Sequence, residues 1–178
     1  MKTIRTIFSS LMIIAMFIGC EKDDDTVVKE EKETKTNSFI YENTTYDLDS
    51  GHIDTWSSED TDDYAVFSIY LVSSEIQVSD SGQTGTGDAM YFELLSSSLT
   101  ELTVGKYTFD ETMISTPMYC FESSTYTNYN FTDGIGVNLD AVSGELNISK
   151  SENIYEIDFN LNLENDKIVT GYYKGELK

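Results

Sequence analysis

From Tyr155 to Leu163 the chain alternates without a break. Tyr155, Ile157, Phe159, Leu161 and Leu163 are apolar, while Glu156, Asp158, Asn160 and Asn162 are polar. Successive side chains of a strand point to opposite faces, so this pattern fits an extended segment with one face in a core. A helix of the same residues would scatter its apolar side chains around the cylinder and bury none of them well. The segment therefore predicts that Phe159 and Leu161 are buried and that Asp158 and Asn160 face water. It also demands a partner sheet, because one strand cannot cover its own apolar face.

The rest of the chain supplies such partners. Residues 169–177 are again apolar or Gly at odd positions, and Gly144 precedes Leu146 and Ile148, which together predict an antiparallel meander. Residues 39–42 and 45–48 flank Asn43-Thr44 as a tight hairpin. Residues 64–72 are apolar on nearly both faces, as expected of a central strand, and residues 89–95, 105–109 and 135–139 follow as further strands. No window sustains a 3.6-residue period. The fold expected is an all-β antiparallel sandwich of about eight to ten strands, with an up-and-down, lipocalin-like β-barrel as the alternative.

The N-terminus is different in kind. Lys2 and Arg5 precede an apolar run over residues 7–18, which is short of the ~20 residues that cross a bilayer. The run ends at Gly19-Cys20, and Glu21-Lys22-Asp23-Asp24-Asp25 follows. This junction resembles the bacterial lipoprotein signal, with Phe17 where Leu is usual. The resemblance implies cleavage after residue 19 and lipidation of Cys20. The acidic run is similar to the export signal of Bacteroidota surface lipoproteins, which implies the outer face of the outer membrane. Within it, Asp25-Thr26-Val27 resembles the O-glycosylation site of that phylum. The closing Gly-Tyr-Tyr-Lys-Gly is similar to the C-termini of many lipoproteins of the same phylum, a likeness that implies a β fold and no activity. A lipid-modified Cys carrying two or more chains would hold the protein firmly, since each buried methylene contributes ~0.8 kcal/mol.

Residues 20–37 contain no aromatic side chain and are mostly Lys, Glu, Asp and Thr, a composition that reads as a tether. Residues 38–178 are then one β domain. It carries 25 acidic residues against five lysines, a net charge of −20. That balance argues against nucleic acid and against adhesion to anionic lipid, both of which would repel it. Cys120 is the only thiol besides Cys20, so the domain folds without a disulfide or a Cys-based metal site.

Three stretches are candidate sites. The glycine-rich stretch 80–88 has no Lys and no following helix, which removes phosphate binding. Its Asp80 and Asp88 make it a candidate for calcium, against the plainer expectation of a flexible loop. Glu59, Asp60, Asp62 and Asp63 would suit calcium too, or serve as a solvated loop. The stretch 113–133 holds Tyr119, Phe121, Tyr126, Tyr129 and Phe131 among Ser, Thr and Asn. Flat rings stack on sugar faces while amides and hydroxyls bond sugar hydroxyls, so this mixture suits a glycan, and Trp56 with His52 and Asp54 would extend the patch. The same rings would also serve as ordinary half-buried strand residues. Tyr126 and Tyr129 are the preferred ligand contacts, because their polar neighbours disfavour a core strand there.

No nucleophile elbow or Cys signature is present, and the single His52 precludes multi-His metal chemistry. No cofactor is expected. The expectation is a non-catalytic lipid-anchored binding module for a glycan or a membrane-protein partner. Alternatives are a structural subunit of a surface assembly, which should show an unpaired apolar strand edge, and a small two-carboxylate glycosidase.

Overall fold

The computed structural model describes residues 35–56, 64–110 and 118–178, without the side chains of Trp56 and Phe121; Cys20 and the stretch with Asp60, Asp62 and Asp63 lie outside the described residues. The described residues belong to one unit, Thr34–Lys178. They form strands β1 (Ser38–Tyr41), β2 (Thr44–Asp47), β3 (Ser50–Trp56), β4 (Ala65–Val72), β5 (Gln77–Ser79) and β6 (Gly82–Thr84). The second half adds β7 (Thr86–Ser96), β8 (Gly105–Phe109), β9 (Tyr119–Asn130), β10 (Ile135–Ser151), β11 (Ile154–Leu163) and β12 (Ile168–Gly175). Ten of them make one sheet in the order β2-β1-β12-β11-β10-β8-β9-β7-β4-β3, and β5 and β6 make a separate hairpin. All main-sheet pairs are antiparallel except the short parallel contact of β8 with β9. The protein is all-β, in keeping with a sandwich or barrel-like architecture.

The two ends of this sheet are drawn towards each other. Gly51 in β3 bridges Leu177, the Lys178 N–H donates to the Gly51 carbonyl, and the Ile53 N–H donates to the Lys178 carbonyl. One apolar core fills the interior, with Phe39, Ile69, Phe92, Leu94, Tyr107, Leu146, Ile157, Leu161 and Val169 at its centre. Each such side chain contributes about 1.5–3 kcal/mol by leaving water. Phe159 and Leu161 are buried, Asn160 is exposed, and Asp158 keeps 40 % of its side chain in water where it pairs with Lys35.

Two expected local features differ. The first hairpin turns at Glu42-Asn43, one residue before the expected Asn43-Thr44, because Tyr41 faces Thr44 and only the two residues between them are unpaired. Both have positive φ (48° and 64°), the left-handed pair that a type I′ turn needs, and Asn tolerates that region better than Thr. The second concerns residues 119–130, where polar neighbours argued against a core strand. They form the twelve-residue strand β9, with Ser123, Ser124, Thr125 and Thr127 buried. Neighbouring strands on both sides satisfy the backbone, and Ser123 Oγ donates to the Tyr91 carbonyl at 2.8 Å, whereas the Thr125 hydroxyl is buried without a hydrogen-bond partner among the described residues.

Candidate binding face

Strands β4 and β7 are buried on both sides, and their second face is the one that carries chemistry. The register sets residues of four or five strands in rows across it. His52 faces Tyr70, Tyr70 faces Tyr91, Tyr91 faces Ser124, and Ser124 faces Asp140. One row along, Asp54 faces Ser68, Ser68 faces Glu93, and Glu93 faces Glu122. On the other side, Ser50, Val72, Ala89, Tyr126 and Asn138 form a third row. Directly opposed strand residues have Cβ atoms about 4.5–5.5 Å apart, so each row sets its side chains next to one another.

The tyrosines and carboxylates of these rows are joined. Tyr70 and Tyr91 pack ring on ring at 4.6 Å. The Tyr91 hydroxyl donates to Glu93 and lies 3.5 Å from Ser68 Oγ. Burial and the bond to Glu93 push the Tyr91 hydroxyl far above the ordinary phenol range, so it stays a donor. Burial also raises Tyr70, against hydrogen bonds from Tyr91 and Gln83. Burial, with the charges of Glu93 and Asp140, raises Glu122 above the usual carboxylate range. Ser124 Oγ donates to Asp140 at 2.7 Å. His52 is held below its usual value by burial and by Lys178, against the pull of Asp54.

At one end of the face stand three rings from the anticipated stretch. Tyr126, Tyr129 and Phe131 meet pairwise at 4.9–5.0 Å, tilted or edge to face, and all three are half-buried. Tyr126 and Phe131 also rest on Val72, Ile76 and Ala89, so they are partly core, whereas Tyr129 is not among those packed there. Asn128 has positive φ (47°) and bulges the strand here, because Ala89 faces Tyr126 while Gly87 faces Tyr129. The bulge turns Tyr129 towards the other two rings. Asp88 fixes it by accepting the Asn128 N–H at 2.8 Å.

The other anticipated residues lie apart. Tyr119 is buried with Val66 and Leu95, seven residues or about 23 Å back along β9. Trp56 faces Val66 at the far end of β3, and Phe121 lies between Cys120 and Glu122; the side chains of both are outside the described residues. The stretch 80–88 is ordered as hairpin β5–β6 and the start of β7, with Asp80 exposed at the tip and Asp88 committed to Asn128. Among the described residues no group of three or more His, Cys, Asp or Glu is placed to hold a metal ion. Cys120 is fully buried, and burial pushes its thiol up, away from the reactive thiolate.

Sequence reasoning missed Tyr70, Tyr91, Glu93 and Glu122. One signal was present: Glu93 is the single charge inside the apolar run 89–95. A carboxylate in a central strand requires a polar neighbour on its own face. No protein-family model matches the chain, and no curated protein or solved structure is significantly similar to it.

Proposed function

We propose that the chain is a non-catalytic, lipid-anchored binding module of the bacterial outer surface, held through Cys20, and that its ligand is a glycan. The observation that carries this reading is the ring cluster of Tyr126, Tyr129 and Phe131, left partly exposed beside Asn128, Asn130 and Asp133. Exposed rings offer apolar faces for the C–H side of a sugar, and the neighbouring amides and carboxylates take its hydroxyls. The Tyr70–Tyr91–Glu93 network extends the same chemistry along the sheet face. A partner protein on the membrane is the other occupant this surface suits.

A glycan array probed with the full chain tests the proposal, with Tyr129→Ala as the variant. Tyr126 is avoided because it also rests on Val72, Ile76 and Ala89. Tyr129→Ala is expected to weaken binding by about tenfold or more, the ~1–3 kcal/mol of a stacked ring, while Tm moves little. An array with no binder, or a binder indifferent to Tyr129→Ala, would remove the glycan reading.

A further inference from the structure

The long strand β10 changes partners along its length. Its second half, from Ala141, pairs with β11 on one side, while on the other it pairs first with β9 and then with β8. Residues 135–139 pair with β9 alone. Asp140 shows which way the open side faces: its carbonyl accepts the Glu164 N–H at 2.9 Å, at the turn where β11 ends. Strand alternation then aims the N–H and carbonyl of Asn138 to that same side, the register with β9 being irregular just before it, at Gly136 (φ 139°). No described residue pairs with them there.

The edge is apolar as well as open. Ile135, Val137 and Leu139 share a face of β10; Leu139 packs onto the main core, but Ile135 and Val137 run past it and are 69 % and 42 % exposed. Elsewhere the sheet ends are closed or polar. β3 meets Leu177 and Lys178, and the exposed side chains of β2 are Thr44, Thr45 and Asp47. Natural sheets blunt an edge with charge, with Pro, with a bulge or with a covering segment. Residues 137–139 carry no charge and no Pro, no described residue covers them, and the irregular register with β9 lies before them, between Ile135 and Val137.

We infer that residues 135–139 accept an extended, cationic segment of a partner protein as an added strand, in line with β11. Charge selects the occupant. Asp133, Asp140, Glu164 and Asp166 border the edge, no Lys or Arg occurs between residues 107 and 149, and Lys167 in the nearby turn is paired with Glu42. A second copy would bring its own net −20 domain and the same four carboxylates against these, which opposes self-pairing. Alternating Lys or Arg with apolar residues in the incoming strand would meet the carboxylates on one face and Ile135 and Val137 on the other. This edge adjoins the ring cluster proposed for glycan, with Asp133 and Asn130 between them, but it is read by backbone rather than by rings.

Three peptides of about ten residues test it against the full chain: alternating Val and Lys, alternating Val and Glu, and the Val–Lys peptide N-methylated on every second amide. The Val–Lys peptide is expected to bind and to slow amide exchange at Asn138 by about tenfold or more, while the other two bind at least about tenfold more weakly. Asn138→Pro is expected to abolish binding with no internal ladder bond lost, since that N–H points outward. Ile135→Lys, at an exposed position, checks the result independently should the Pro variant unfold, and is expected to weaken binding of the Val–Lys peptide. Equal binding of the methylated peptide would reduce the effect to charge attraction and overturn strand addition. Absence of binding, protection elsewhere, or a free chain that already dimerises through residues 135–139 would overturn the proposal too.

Discussion

Phe159 carries two roles. It meets Phe92 edge to face at 5.2 Å across the core, and its ring covers Gly171 on the neighbouring strand, where a Cβ would collide with it. The pairing of Phe159 with Gly171 explains why β12 keeps a glycine in mid-strand: the ring supplies the apolar surface that the glycine lacks. Phe159→Ala should therefore cost about 3–5 kcal/mol, whereas Asn160→Ala, exposed beside it, should stay within about 0.5 kcal/mol. Urea unfolding of both variants reads the difference directly, and equal effects would contradict the register. This part of the molecule was legible in the sequence, since one face of β11 meets water and leaves its period in the residues. The contact with Gly171 was not, because it depends on which strand lies alongside.

Legibility at the scale of the element follows the same rule. β11 and β12 have one solvated face and were plain. β9 was hidden because it lies between neighbours, with Ser123, Thr125 and Thr127 facing inward where apolar residues would have announced a strand. Of the candidate site, Tyr126, Tyr129 and Phe131 were visible because six residues hold all three. The Tyr70–Tyr91–Glu93–Glu122 rows were not, since they exist only once the register of β4, β7 and β9 is known. The first hairpin offers a test of how local a turn is. Replacing Glu42-Asn43 with Asn-Gly puts at both left-handed positions residues that adopt them readily, and should raise stability by a few tenths to ~1 kcal/mol. The replacement also removes the exposed pair of Glu42 with Lys167, a loss expected to be small. A fall in the urea midpoint would mean that this pair, rather than the turn, holds the β1–β2 hairpin.

Charge is divided across the whole molecule. Lys35, Lys106, Lys167 and Lys174 all make ion pairs, with Asp158, Glu145, Glu42 and Glu156, and Lys150 lies 4.6 Å over the Tyr155 ring. These partners belong to β8, β10, β11, β12 and the first hairpin. Strands β3, β4, β7 and β9 contain no Lys or Arg, so one side of the sheet is mixed in sign and the other mainly acidic, with Lys178 against β3 its one described cation. Such a domain repels itself, and added salt screens that repulsion over ~10 Å at 0.1 M. Raising NaCl from about 10 mM to 0.5 M should increase Tm by roughly a few degrees, the reverse of what a fold dependent on its ion pairs would do. A Tm that falls with salt would mean that the four ion pairs outweigh the self-repulsion.

The pairing of β1 with β12 sets Ser38 opposite Tyr172 and Tyr41 opposite Val169. In time, this means that the earliest strand of the domain waits for the last. A chain that emerges N-terminus first can stack Phe39 on Tyr46 of β2 at once, but β1 lacks its second neighbour until residues 169–172 arrive, and the chain must bridge nearly its whole length to close. Such distant pairings belong to domains that fold over about milliseconds to seconds. Throughout that interval a chaperone able to hold an extended, apolar segment would have β1 within reach.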